Sequence, residues 1–465
     1  MDSKMVSQRG RESSPSRSLT VSHVLIIGGG FAGLNAAKGL GEVANVEVTL
    51  VDRTNHHLFQ PLLYQIAMAG LSPAEIAAPI RSLLSRYRNI RVVSGEVTSL
   101  DLKRNVAVAD FGELAFDYLI LACGARHDYF GHDEWEEYAP GLKNLEQATE
   151  IRRRVLLAYE QAEVSESAEE RKRLLTFVVV GGGPTGVELA GALGEMSRFT
   201  LAKDFRNIDA TLARVILVEA GPRILPMFSA QMAARAKCDL ERLGVQVRTN
   251  TSVTRIDANG VGLGDERIEA ATVLWAAGVK ASPLGHSAGL AVDRHGRVLV
   301  EPDLSVQGRK NIFVAGDLAC FTHQSGKPLP GTAPVAMQQG RFLARTIRRD
   351  LQGKSRVQFH FADKGQMATI GRSRAIVEVG QLKIAGFSAW LLWLVIHIYY
   401  LTGFQNRLLV VLQWAWSYIS YTRGARLILN KEWRTQPRVE HKLPPNTQGC
   451  SHRQHLAQFD SPFNN

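Results

Sequence analysis

The sequence predicts an α/β protein. Three observations carry that prediction: a glycine fingerprint set directly after a short apolar strand at Gly28, a second copy at Gly181, and an aromatic, uncharged stretch after Lys383. The chain has 465 residues, 45% of them hydrophobic, which suffices for several cores and excludes a disordered chain.

Order begins at Val21. The run VSHVLII (21–27) reads as a short buried strand that glycine ends at once. GGGFAGL (28–34) and an Ala-rich helical stretch follow, and VEVTLV (46–51) is a second strand that ends on Asp52. Gly28, Gly30 and Gly33 fit G-x-G-x-x-G, with Asp52 placed 24 residues after Gly28. Glycines let the backbone turn tightly and approach a pyrophosphate, and the free N–H groups of the following helix favour an anion. An acid ending the second strand accepts hydrogen bonds from a ribose diol. Strand, glycines, helix and acid together predict a dinucleotide site.

The pattern recurs. LLTFVVV (174–180) precedes GGGPTGVELAGA (181–192), where Gly181, Gly183 and Gly186 repeat the fingerprint. RVILV (214–218) ends on Glu219, 38 residues after Gly181, so 199–212 reads as an insertion in the crossover. An acid here repels a 2′-phosphate, which favours NADH over NADPH, although Arg223 is close in sequence. Two such sites imply two nucleotides, and FAD with NADH is the economical pair, with hydride transfer between them. Other elements fit the same plan. DYLILA (117–122) runs into the small turn at 123–125, where Ala122 and Gly124 permit close backbone approach. VLWAAGV (273–279), with Gly278, is its counterpart, and NIFVAGD (311–317) places Asp317 just after a strand.

These elements resemble the two-dinucleotide-binding flavoprotein superfamily over about residues 21–345. The resemblance gives Asp317 a contact with the ribityl or pyrophosphate part of FAD. NHHLFQPLLYQ (55–65), FVVVGGGPTGVELAG (177–191), VEAGPRILP (218–226), PVAMQQG (334–340) and DKGQMATIG (363–371) look more closely like bacterial type II NADH dehydrogenases. These are non-pumping NADH:quinone oxidoreductases with FAD, and the likeness covers all but the two tails. It implies that Glu188, just past Gly186, approaches the nicotinamide–flavin region. It places Gln338 in the quinone site, and Lys364 near the active site as a cation able to steady a reduced flavin. It also implies non-covalent FAD and a homodimer. Ala333, Ala336 and Gln338 match the family's A-Q-x-A-x-Q pattern, while Pro334 replaces its first Gln. Pro61 prevents regular structure in NHHLFQP, which reads as a loop over the flavin; His56 and His57 read as structural.

The implied organisation is a tail (1–20), an FAD domain (21–148 and 300–350) interrupted by an NADH domain (149–299), a C-terminal membrane-binding part (351–434) and a polar tail (435–465). Between Lys383 and Arg407 lie 23 residues without Asp, Glu, Lys or Arg, and a second uncharged stretch runs from Leu408 to Thr422. The first is long enough to span a bilayer. Yet Trp390, Trp393, Tyr399, Tyr400, Trp414, Trp416, Tyr418 and Tyr421 suit the membrane–water interface, which favours amphipathic helices lying on the bilayer. A spanning hairpin and packing inside a soluble dimer are the alternatives.

Lys and Arg number 55 against 44 Asp and Glu, a net +11 with a pI near 9.6. Lys383, Arg407, Arg423, Arg426, Lys431 and Arg434 face only Glu432 across 380–434, so part of the surplus sits beside the aromatic stretch. Anionic lipid on the cytoplasmic face of a bacterial inner membrane is the partner this placement implies, and no nucleic-acid motif accompanies it. Cys123, Cys238, Cys320 and Cys450 are too scattered for a disulfide framework or a metal site. A sulfide:quinone oxidoreductase, which needs a cysteine pair at the flavin, and a non-enzymatic NADH-binding sensor are the rival functions.

Overall fold

The computed structural model describes residues 21–401, 407–412, 414–415 and 425–429. The two tails, and Trp416, Tyr418 and Tyr421, lie outside the described residues.

The first unit opens with β1 (Ser22–Ile27), α1 (Phe31–Leu40), β2 (Val46–Asp52), the short α2 (Leu63–Ala67), β3 (Ile90–Ser94) and β4 (Tyr118–Leu121). A long helix, α3 (Leu145–Val164), leads away from it, capped by Asn144, whose side chain accepts the Gln147 N–H. The second unit then forms β5 (Thr176–Val180), α4 (Pro184–Glu195), β6 (Arg214–Val218), α5 (Ala230–Arg242), β7 (Val245–Arg248) and β8 (Thr272–Trp275). The chain returns to the first sheet with β9 (Ser305–Val306) and β10 (Arg309–Val314), followed by α6 (Ala333–Leu351). Three antiparallel strands, β11 (Gln366–Thr369), β12 (Ala375–Val379) and β13 (Leu382–Gly386), and the helix α7 (Phe387–Tyr400) complete it.

The first sheet has the order β9-β10-β4-β1-β2-β3, parallel except at β9. The second has the order β7-β6-β5-β8, all parallel. β5 reads TFVVV and is buried at every position, as a central parallel strand covered on both faces must be. In each sheet the glycine fingerprint follows the central strand, at the carboxyl ends where the strand order reverses, which is where such folds bind ligands. α1 packs along α6 so closely that a Cβ on Gly340 would stand 2.1 Å from the Ala32 carbonyl oxygen.

The insertion reads out as a π-turn at Met196–Thr200 and a single 3-10 turn at Ala210–Leu212. The Glu163 carboxylate pins it to α3 by accepting the N–H groups of Arg206, Asn207 and Ile208. Asp239 on α5 is fully buried and accepts from Arg235, Arg242 and, across 135 residues, Arg374 in the β11–β12 turn. That hub fastens the second unit to the C-terminal sheet.

α7 has two sides. Ala389 and Trp393 (2% exposed) belong to the core of the second unit, so the helix seals that core. Phe387, Leu391, Val395 and Tyr399, spaced four apart, form an exposed apolar stripe on another face. The helix has 14 residues, about 21 Å at 1.5 Å per residue, short of a bilayer's hydrocarbon core. Among the described residues no helix is long and apolar enough to cross a membrane.

Candidate active site

The two glycine loops are built alike. In the first, Gly28 has φ +104°, and a Cβ there would lie 2.4 Å from the Ala122 carbonyl oxygen. Gly33 is tighter still, with its would-be Cβ 1.8 Å from the Gly28 oxygen. Gly30 meets nothing within 4 Å. In the second loop Gly181 and Gly186 repeat the crowding, against Ala276 and the Gly181 oxygen, and Gly183 again meets nothing. The outer glycines let protein backbone pack on itself. The middle ones leave the open side that a pyrophosphate needs, at the N-terminus of a helix.

Each terminal acid clamps its loop. Asp52 accepts the Gly29 N–H at 2.6 Å through Oδ2 and the Thr54 N–H at 2.7 Å through Oδ1. Glu219 accepts the Gly182 N–H at 2.6 Å and the Gly221 N–H at 2.7 Å. Both carboxylates are thereby fixed beside the open glycine, where a ribose diol would reach them. His57 supports the first loop from behind. Burial pushes it down to about 4, so it is neutral, and its Nδ1–H donates to the Gly29 oxygen at 3.0 Å. That is a structural role, whereas the more exposed His56 pairs with Asn55.

Asp317 sits in a 3-10 turn (Gly316–Leu318) after β10, with Lys143 Nζ 3.7 Å from its Oδ2. The turn is held by Gln339, which is buried and accepts the Gly316 N–H at 2.7 Å. Neither Lys143 nor Gln339 was singled out from sequence, although Gln339 lies in the same PVAMQQG run. Pro61 stands in a 3-10 turn, Gln60–Leu62, and Gln60 donates to the Lys143 carbonyl at 3.1 Å, tying this loop to the Asp317 side. Gly124 takes φ +68° in the turn after β4. Gly278 packs against the Asp128 backbone, where the two connections between the units cross as a two-stranded ribbon.

Glu188 stands on the first two turns of α4. Its edge keeps some accessible surface, but protein crowds the carboxyl and burial pushes it up to about 8, opposed more weakly by the nearby Thr369 backbone. It therefore carries a proton at neutral pH. Gln338 is committed at both ends to the backbone of one residue: Nε2 donates to the Ala362 oxygen and Oε1 accepts the Ala362 N–H, each at 3.0 Å. It fixes the loop that carries Lys364. Lys364 itself is exposed and donates to the Tyr400 hydroxyl at 3.2 Å, on the last turn of α7.

Residues 22–340 match the family model described as pyridine nucleotide-disulphide oxidoreductase. The chain is also 43% identical to the type II NADH:quinone oxidoreductase Ndh of Mycobacterium tuberculosis, covering 92% of this chain and 95% of that one. It belongs to the type II NADH:quinone oxidoreductase family. A Staphylococcus haemolyticus member is 30% identical, over 79% of this chain and 92% of that one. Among solved structures, NDH2 of Plasmodium falciparum in complex with NADH superposes with a TM-score of 0.80 at 20% identity, covering 88% of this chain and all of that one. A sulfide:quinone oxidoreductase of Aquifex aeolicus shares the fold at TM-score 0.68 and 19% identity, over 83% of this chain and 91% of that one. Like the family's flavoproteins, this member is built for FAD and NADH, and its two open glycine cradles fit two dinucleotides.

The Glu219 clamp gives a test of nucleotide choice. Glu219→Arg exchanges a charge that repels a 2′-phosphate for one that attracts it. The kcat/KM ratio of NADH to NADPH is expected to fall by about tenfold or more. An unchanged ratio in a folded variant would sink the ribose role.

Proposed function

We propose that this chain oxidises NADH through bound FAD and reduces a membrane quinone without pumping protons. The duplicated glycine cradle, each copy clamped by its own acid, carries this reading. FAD supplies a ring that takes a hydride from NADH and passes two electrons to an acceptor. The chain's residues do the rest. The cradles orient the two nucleotides. Burial raises the Glu188 carboxyl to about 8, which suits it to hold a proton for an oxygen acceptor. Converting NADH and quinone to NAD⁺ and quinol consumes one proton from solution, and Glu188 is the group placed to relay it. Gln338 holds the Ala362 loop and keeps a second N–H and a second lone pair for the quinone.

The bilayer is the second part of the proposal. The exposed stripe on α7, continued by exposed Leu408 and Leu412, lies on lipid at the cytoplasmic face of the inner membrane. Quinone enters from that side, beneath the C-terminal helices and near Gln338, and the enzyme works as a homodimer. The surface part is testable without disturbing the core. Leu391→Glu with Val395→Glu is expected to lower co-sedimentation with anionic vesicles by tenfold or more, at roughly 1.5–3 kcal/mol per buried side chain. NADH turnover with a soluble dye should stay unchanged. Equal vesicle binding by the double variant would refute the stripe. Deleting the helix is not an equivalent test, because it removes Ala389 and Trp393 from the core.

The sulfide reading gains nothing from the thiols. Burial pushes Cys123 up to about 12, and the same cause raises Cys320, so neither offers a ready thiolate. Anaerobic NADH titration of the flavin, followed by quinone, tests the whole proposal. NADH should bleach the flavin and quinone should restore it. A flavin that NADH leaves coloured would overturn the reading.

A further inference from the structure

A chain of hydrogen bonds starts beside Glu188, at Thr369, and ends on the C-terminal segment. Glu188 stands on α4, which packs against both α2 and β11, and its carboxyl feels the backbone of Thr369, the last residue of β11. The Thr369 hydroxyl lies 3.1 Å from the Tyr64 phenol oxygen. That phenol receives Nε2 of Gln65 at 3.1 Å, and Gln65 Oε1 accepts the indole N–H of Trp414 at 2.8 Å. Tyr64 and Gln65 lie on α2, in the run quoted above as NHHLFQPLLYQ, and neither has a part in the mechanism so far.

The direction of these bonds is set from one end. An indole N–H can only donate, so Gln65 must turn its oxygen toward Trp414 and its NH₂ toward Tyr64. The Tyr64 oxygen then accepts from Gln65, and its own hydrogen is left to donate to Thr369. Tyr64 is only 7% exposed, so water competes little for these bonds. A pocket of about 100 Å³ beside the chain is walled by Trp390, Trp393, Leu394 and Trp414, together with Tyr64 and Gln65. The polar chain therefore runs along the aromatic layer that joins the C-terminal helices to the second unit.

We infer that Tyr64 and Gln65 are positioning residues that couple the seating of the Trp414 segment to the orientation of Glu188. The inference rests on Glu188 being the acid of the proposed reaction. Its content is new to that reaction: the segment proposed to dock on lipid also sets the geometry of the acid. Without the indole, the Gln65 amide is free to flip, the Tyr64 hydroxyl loses its fixed direction, and the Thr369 strand end no longer holds one geometry around Glu188.

The test uses the full, flavin-loaded chain in anionic vesicles. Infrared difference spectroscopy at about pH 6 reads the carboxylic C=O stretch of protonated Glu188, identified by its loss in Glu188→Gln. Trp414→Phe keeps the ring and removes the N–H; Tyr64→Phe keeps the ring and removes the hydroxyl. Both are expected to shift the band and to lower kcat/KM for quinone about fivefold, the worth of one hydrogen bond. The double variant should be no worse than either single one, because the two act through one chain. A merely structural role would lower stability without moving the band. An unmoved band in Trp414→Phe, or losses that multiply in the double variant, overturns the coupling. Gln65→Leu replaces Trp414→Phe if that variant does not accumulate, with the same two outcomes. Quinone turnover by the unchanged chain, measured in the same vesicles, tests the parent function separately.

Discussion

Replacing Gly33 with alanine is expected to abolish flavin retention. The new Cβ would stand 1.8 Å from the Gly28 carbonyl oxygen and 3.0 Å from its carbon, both of them backbone. Gly28 cannot give way, because it is pressed against Ala122 on its other side. The start of α1 must move instead, and α1 is locked against α6 through Gly340. Relief therefore costs either the loop geometry or the α1–α6 interface. The expected flavin content of the purified variant is below about a tenth of the unchanged chain, at a strain of several kcal/mol. Gly30→Ala is the contrast. Its Cβ meets no protein atom within 4 Å, so that variant should fold normally and lose only affinity for the cofactor. Full flavin in Gly33→Ala would show that the loop is not the cradle.

Glu188→Gln is expected to change how stability depends on pH. The folded chain holds the Glu188 carboxyl at about 8, against 4.5 for an ordinary glutamate, because burial disfavours the charged form. Between those values the unfolded chain releases a proton that the folded chain keeps. The contribution is therefore fully present below pH 4.5 and is lost as pH rises toward about 8. The loss is on the order of 1.4 kcal/mol per unit of separation, a few kcal/mol in all. Glutamine has the same shape and no charge, so the variant should gain on the parent across that window and hold a constant lead above it. Denaturant midpoints of both proteins over a pH series measure this, and parallel curves would refute the buried proton. The same substitution removes the proposed proton relay, so quinone turnover should fall about a hundredfold.

These two positions show what the sequence makes legible. Gly33 and Gly28 are five residues apart, and their contact is a backbone constraint within a single turn, so spacing alone exposes it. The same holds for Gly181, Gly186 and the acids that end β2 and β6. The structure's other supports join residues that are distant in the chain. Gln338 and Gln339 are identical neighbours. Only the helical phase of α6 against α1 makes Gln339 the buried one that holds Gly316. Asp239 reads as a surface acid on an amphipathic helix, and its burial depends on Arg374 arriving from another sheet. The aromatic stretch after Lys383 is legible as a helix, and it forms one at Phe387–Tyr400. Its sealing of a core through Ala389 and Trp393 is invisible because that core gathers residues of α2, α3 and α4, far off in the chain.

The strand order has a consequence for how the protein is made. β4 emerges from the ribosome early, but its neighbour β10 is synthesised roughly two hundred residues later, a delay on the order of ten to forty seconds at bacterial rates. The β5–β8 sheet, by contrast, is continuous and can close while translation proceeds. For that interval the nascent chain carries one finished nucleotide fold and one sheet with a bare central edge. An open edge is where chains pair wrongly with one another. The vulnerable moment in this enzyme's biogenesis is thus the wait for Arg309–Val314, and chaperone demand should concentrate there.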